Sequence, residues 1–414
     1  MIDACAIEPQ ALLTVDEALA KIKTAIVPVQ GIEMLPLRNS LGRILASAVY
    51  AQANIPPDRN AAMDGYAFSS QDIAVDCVFT LTCVGTSWAG RPFQGGLNSG
   101  ECIRIFTGAV VPEQADSVIM QEQVRAEGSS IHFPAQTKGK QNVRLAGEDV
   151  RQGDRVCSYP KTVTAADLGL LAAIGIAEIP VLRQLKITFF STGDELAELG
   201  QALQAGQIYD SNRYLLSGLL NDCRYTFIDG GVIADDPNQL EAALLGAAKQ
   251  SDVIITTGGA SVGEADYVKD ILQACGQVEF WKIAMKPGKP LAFGKIGGSY
   301  LFALPGNPLA VFATFQKFVL PALAQLMGLP TRHPLRLTAT CRSILKKSPG
   351  RQEFQCGILS QEATGEFIVA SAGQQGSHLL STLHKANCYI ILPGGSQGVQ
   401  LGEQVVVEPF SMLI

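Results

Sequence analysis

The chain is poor in the spacings that bind transition metals. It has four histidines, and no two stand as His-x-x-x-His. Its ten cysteines are scattered, and none forms a Cys-x-x-Cys pair. Both absences argue against a zinc site. Reduced thiols in a cytoplasmic compartment are the simplest account of such cysteines. Basic charge is also short: 32 Lys+Arg against 38 Asp+Glu leave a net charge of -6. That excludes a nucleic-acid protein working through a general basic surface, although a positive pocket can sit on an acidic protein. The N-terminus carries acids and lacks the basic-then-apolar pattern of a secretory signal. One long apolar segment, 308–327, contains Gln316, Lys317, Pro321 and Gln325. It reads as a buried helix, so no membrane partner is expected.

What is present is core material. Hydrophobic residues make up 47% of 414, enough for two to four domains. Thr14-Val-Asp-Glu17 opens a helix with a capping box, and Pro28 stops it. A Pro-rich loop then carries Arg59 and Asp64, charged loop residues of the kind that serve binding; Asp64-Gly65 also reads as a hairpin turn. Short strands at 78–84, 101–106 and 117–120 predict a compact β barrel or sandwich between 66 and 131. Thr107-Gly108 turns between two of them, and Gly147-Glu-Asp149 makes an exposed acidic turn. Residues 162–174 predict a helix with Thr164 as its N-cap.

From Leu185 strands alternate with helices, which predicts a largely parallel sheet covered on both faces. Polar groups gather where strands end. Thr192-Gly-Asp-Glu195 follows one strand, Asp235-Asp236 the next, and Gly258-Gly-Ala-Ser-Val-Gly263 with Asp266 the third. In a parallel sheet these ends share one edge, where open α/β sheets bind ligands. Converging carboxylates beside glycine loops suit Mg²⁺ shared with a phosphorylated ligand. Each acid alone also reads as an N-cap or a solvated loop residue. Lys282, Lys286 and Lys289 surround a Pro-Gly turn and read as an oxyanion clamp. Leu304-Pro-Gly-Asn-Pro308 enters the last helix, whose amino end is expected to offer free amides to an anion. After about 330, strands at 335–340, 351–354, 367–370, 388–392 and 404–408 predict a small β barrel or sheet. His378 and His384 in that tail read as surface or packing residues.

Taken together, Met63-Asp-Gly-Tyr-Ala67, Arg104-Ile-Phe-Thr-Gly108, Ser191-Thr-Gly-Asp-Glu195, Gly258-Gly-Ala-Ser-Val-Gly-Glu-Ala-Asp266-Tyr267, Lys286-Pro-Gly-Lys-Pro290 and Leu304-Pro-Gly-Asn-Pro308 resemble a known family. It is the molybdopterin molybdenumtransferases, the MoeA and gephyrin E-domain family, and the resemblance runs in order over essentially the whole chain. It implies insertion of molybdenum from molybdate into adenylylated molybdopterin, with Mg²⁺ and release of AMP.

The fold it implies is multidomain α/β plus β, in an elongated homodimer. A discontinuous α+β connecting domain would take 1–50 and 144–180, and an inserted β domain 51–143. A doubly wound, mostly parallel molybdopterin-binding domain would take 181–328, and a β-barrel-like domain 329–414. The active site would lie between the α/β domain of one subunit and the β domain of the other.

Catalytic roles would fall on Asp64, Thr107, Glu195, Asp235 and Asp266. Substrate contacts would fall on Asp149, Gly258, Gly259, Ser261, Gly263, Lys282, Lys286, Pro305 and Pro308. Glu195, Asp235 and Asp266 would hold the metal. A molybdopterin adenylyltransferase is the expected pathway partner, and the location is cytoplasmic. The rival readings are that adenylyltransferase activity itself, or a gephyrin-like scaffold binding a partner peptide.

Overall fold

The structure is a computed structural model and describes residues 12–258, 271, 273–330 and 333–410. The chain divides into two compact units, Glu33–Val181 and Met1–Ile32 with Leu182–Ile414.

Glu33–Val181 is built on one six-stranded mixed sheet. In sheet order its strands are Ser117–Met120, Gly65–Phe68, Glu101–Ile105, Phe79–Ser87, Ser130–Phe133 and Arg125–Glu127. The first and last do not pair, so the expected barrel or sandwich is one open sheet. It stays stable because alternate residues bury both faces. Ala67, Ile103, Ile105 and Val118 fill one side, and Phe68, Cys102, Ile119 and Phe133 the other. Asp64 leads directly into the strand Gly65–Phe68, so Asp64-Gly65 is no hairpin turn. A separate core of Leu45, Val49, Leu171 and Ile179 draws on chain from both sides of this sheet.

The helix over that core is Ala165–Ala173, opened by the Thr164–Asp167 capping box. Burial would raise the Asp167 pKa, but Lys161 and Thr164 bind the carboxylate and hold it below its ordinary value. Arg59 is structural: its guanidinium donates to the carbonyls of Pro112, Glu113 and Ala115 at 2.9, 3.2 and 3.1 Å.

The other unit holds a six-stranded sheet. We number its strands β1 (Leu185–Thr192), β2 (Tyr225–Ile233), β3 (Val253–Thr257), β4 (Gly276–Lys282), β5 (Pro290–Ile296) and β6 (Ser299–Leu304). Three helices between and after these strands are numbered α1 (Ser211–Leu220), α2 (Pro237–Ala248) and α3 (Pro308–Leu326). The strand order is β2-β1-β3-β6-β5-β4. The first four run parallel; β5 is reversed against β6, and β4, antiparallel to β5, runs with the first four again. Connection length explains the change. Only Gly297-Gly298 separates β5 from β6, too short for the crossover a parallel pair needs.

Helix α2 covers one face, its Leu240 and Leu244 packed with Phe190, Ile254 and Leu301. The helix Val15–Ala25 joins α3 in another layer: Gln325 Nε2 donates to the carbonyls of Lys23 and Ile26. Thr14 and Glu17 form the expected capping box. Helix α3 is long and apolar enough to cross a membrane, but 72% of its apolar stretch is buried inside the protein. It widens to a π-turn at Phe315–Val319, just ahead of Pro321. Proline lacks an amide hydrogen and its ring crowds the carbonyl four residues back, which the wider turn accommodates.

The C-terminal strands Leu337–Cys341, Gln352–Gln361, Phe367–Ser371, Cys388–Leu392 and Gln404–Pro409 close into a barrel. Gln352–Gln361 closes it by pairing with both Phe367–Ser371 and Cys388–Leu392. Closure removes the exposed edges that an open sheet would leave. Burial pushes the thiols of Cys356 up to about 11 and Cys388 up to about 12, so both serve as packing.

Candidate active site

The carboxyl ends of β1, β2 and β3 meet at one edge of the parallel sheet. Asp194 Oδ1 accepts from the Asp235 amide at 3.0 Å, tying the loop after β1 to the loop after β2. Glu195 and Asp235 are both exposed there. Asp236 has a different task. It is the N-cap of α2, its Oδ1 accepting from the Gln239 amide at 2.9 Å. The Asp235 carboxylate accepts no hydrogen bond among the described residues, so of the two acids it is the one available to a ligand.

Gly258 ends β3 with φ +87°, and a Cβ there would lie 2.4 Å from the Thr192 carbonyl oxygen. Thr192 Oγ1 donates to the Thr257 carbonyl beside it. Only glycine allows this approach. Gly258→Ala is expected to cost about 1–2 kcal/mol from the backbone conformation alone, with more from the clash. Chemical denaturation reads it; an unchanged midpoint would contradict the strand-end geometry. Asp252, at the opposite end of β3, is structural. Arg183 grips its two oxygens at 2.7 and 2.8 Å. Burial raises the Asp252 pKa, but Arg183 and the Lys186 amide outweigh it and hold the carboxyl below its ordinary value.

A cleft of about 500 Å³ opens between this sheet edge and the barrel, within the same unit. Lys286, Lys289, Pro305 and Gly306 line it from the α/β side, and Arg351, Gln375, Ser377 and His378 from the barrel side. Buried Glu353 positions Lys286, with Nζ to Oε1 at 3.2 Å, and Gln355 donates to its other oxygen at 2.8 Å. Arg351 and Lys289 have no carboxylate partner within ion-pair distance among the described residues. The cleft therefore carries uncompensated positive charge.

The expected open amino end of α3 is closed by the chain itself. Pro308 has no amide hydrogen, and Leu309 donates to the Ser377 carbonyl at 3.0 Å. Ala310 and Val311 both donate to the Asn307 carbonyl at 2.9 Å. An anion in the cleft is left to the side chains. Lys282 ends β4 opposite Pro290, and Pro308 opens α3; neither is among the cleft-lining residues, whereas Pro305 is.

In Glu33–Val181, Asp64 and Thr107 come together. Asp64 Oδ1 accepts from the Thr107 amide at 2.8 Å and from its hydroxyl at 2.7 Å. These two bonds hold the Asp64 carboxyl below its ordinary pKa, helped by the nearby Arg104 charge. Asp149 is exposed in its turn, its amide donating to the Ile55 carbonyl at 2.9 Å. Gly259, Ser261, Gly263 and Asp266 lie outside the described residues.

The site residue that sequence reasoning missed is Arg351; Gln375 also lines the cleft, but its side chain is held by Cys356, Ser371 and Gly373. No local motif marks Arg351, because the barrel fold carries it to the cleft. The single signal was polar sequence around Ser377-His378.

Comparison with known proteins agrees along the whole chain. Residues 13–175 match the family described as MoeA N-terminal region (domain I and II). Residues 188–325 match a probable molybdopterin binding domain, and 338–410 match MoeA C-terminal region (domain IV). The molybdopterin molybdenumtransferase of Haemophilus influenzae is 43% identical over 97% of this chain and 100% of its own length. Molybdopterin molybdenumtransferase 2 of Mycobacterium tuberculosis is 34% identical over 90% of this chain and 94% of its own. The crystal structure of the molybdopterin biosynthesis MoeA protein from Pyrococcus horikoshii superposes with a TM-score of 0.83 at 29% identity, covering 97% of this chain and 100% of that one. With these matches spanning every domain, the chain belongs to the molybdopterin molybdenumtransferase (MoeA) family.

Proposed function

We propose that this protein inserts molybdenum from molybdate into adenylylated molybdopterin and releases AMP. The observation that carries the reading is the cationic cleft beside the strand ends, in a chain whose relatives are named for this transfer. Molybdate and the pyrophosphate link are both anionic. Lys286, Lys289 and Arg351 supply charge, and the Ser377 hydroxyl supplies a directed hydrogen bond. Glu353 holds Lys286 in place, so this charge is arranged before the ligand arrives.

Mg²⁺ fits the strand-end donors. Among the described residues no three ligating side chains converge. Mg²⁺ is usually held by one or two carboxylates, with water and phosphate oxygens filling the other positions. Glu195 and Asp235 offer such a pair, with Asp266 as the further candidate. Bound there, Mg²⁺ would polarise the pyrophosphate. Asp235→Ala is expected to lower turnover about 100-fold, while Asp236→Ser, which keeps a helix cap, leaves it near normal. Initial rates of AMP release separate the two. Equal loss in both variants would contradict the division of labour between the acids.

In this reading the enzyme is a cytoplasmic homodimer that takes its substrate from a molybdopterin adenylyltransferase. Among the described residues, Cys102, Cys157, Cys341, Cys356 and Cys388 are buried and in no disulfide, which suits a reducing compartment. Incubation with ATP and free molybdopterin tests the assignment against the adenylyltransferase reading. No pyrophosphate is expected; its formation would overturn the proposal.

A further inference from the structure

An aromatic stack in Glu33–Val181 is not used by the reading above. Trp88 stands at a tight turn, exchanging backbone hydrogen bonds with Arg91 at 3.0 and 2.9 Å. Its ring stacks on Phe106, with centroids 4.0 Å apart and planes 11° from parallel. The Arg104 guanidinium lies 5.1 Å from the Phe106 ring centre and 5.0 Å from that of Tyr66. Arg104 also donates to the Gln121 side chain, and the Gln121 amide donates to the Asp64 carbonyl at 3.1 Å. The stack thus fixes Trp88 from beneath, yet leaves it 51% exposed.

A large ring held rigid with an open face is a stacking platform, because little conformational freedom is lost when a second ring lands on it. The chemistry around it narrows the occupant. Thr107 follows Phe106 directly, and its two hydrogen bonds occupy Asp64 Oδ1. Asp64 Oδ2 accepts nothing among the described residues. A pterin offers a flat fused ring and, on its pyrimidine edge, adjacent N–H donors that suit a carboxylate oxygen. Adenine offers a single amino donor beside an acceptor nitrogen and matches less well.

The geometry points to Trp88 as the residue on which the substrate's pterin ring stacks, with Asp64 Oδ2 accepting from the ring edge. This inference rests on the proposed function for the identity of the ligand. Its test uses the two tryptophans of the chain. Trp281 is buried and 7% exposed, so in a Trp281→Phe background quenchable emission reports Trp88. Neopterin is expected to quench that emission, and AMP is not. Quenching by AMP alone, or by neither, would overturn the platform.

Turnover gives the second arm. Trp88→Ala is expected to raise the KM for adenylylated molybdopterin about tenfold with kcat little changed. Trp88→Phe should restore most of the loss. An unchanged KM in Trp88→Ala, with the wild type active, would sink the inference and leave the proposed function standing. A wild type that transfers no molybdenum defeats the proposed function instead, and the neopterin titration then decides the platform alone.

Discussion

Arg351→Ala will lower molybdate-dependent AMP release about 100-fold in kcat/KM, the scale expected when one preorganised donor is taken from an anion site. The choice of Arg351 over Lys286 follows from charge balance, and over Lys289 from its planar, forked donor. Lys286 is already shared with Glu353, whereas Arg351 enters the cleft without a carboxylate partner among the described residues. Among the described residues its guanidinium makes one hydrogen bond, a long one from Nη1 to the Met285 carbonyl at 3.4 Å. Losing that bond should leave the barrel intact, as circular dichroism and an unchanged unfolding midpoint would confirm. Arg351→Lys should recover part of the rate, since it restores charge but not a planar, forked donor. Full activity in Arg351→Ala would remove the cleft from the mechanism.

The largest stability effect is expected at Glu408. Lys317 on α3 and Glu408 on the barrel form an ion pair with side chains 7% and 9% exposed. Lys317 also lies 4.5 Å from the Phe354 ring centre and 5.4 Å from that of Tyr389. Burial pulls the Lys317 pKa down, and the Glu408 carboxylate opposes it. Glu408→Ala strands a buried ammonium, which costs about 3–5 kcal/mol in comparable buried pairs. The double variant Lys317→Met/Glu408→Leu removes both charges and should recover most of that loss. Urea unfolding of the three proteins measures it. A single variant within about 0.5 kcal/mol of wild type would show that the pair contributes little.

Where signals were local, the sequence was legible. The caps at Thr14 and Thr164 follow from side chains three residues from the amides they bind, whereas the division between Asp235 and the cap Asp236 was not legible. The strand ends carrying Glu195, Asp235 and Gly258 follow from apolar runs that stop at glycine or acid. Long-range geometry was less legible. The amino end of α3 is filled by the carbonyl of Ser377, and Arg59 binds carbonyls more than 50 residues away. Neither partner is marked by any motif. The antiparallel edge of the sheet turned on the brevity of Gly297-Gly298. Arg351 became a site residue only because the barrel closes beside Lys286 and lines the same cleft.

One measurement tests the central claim most directly: AMP release from adenylylated molybdopterin by the purified protein, with Mg²⁺, in the presence and absence of molybdate. The account predicts AMP formation that depends on molybdate, with molybdenum ending on the dithiolene. Ligand binding without AMP release, or AMP release indifferent to molybdate, would contradict it.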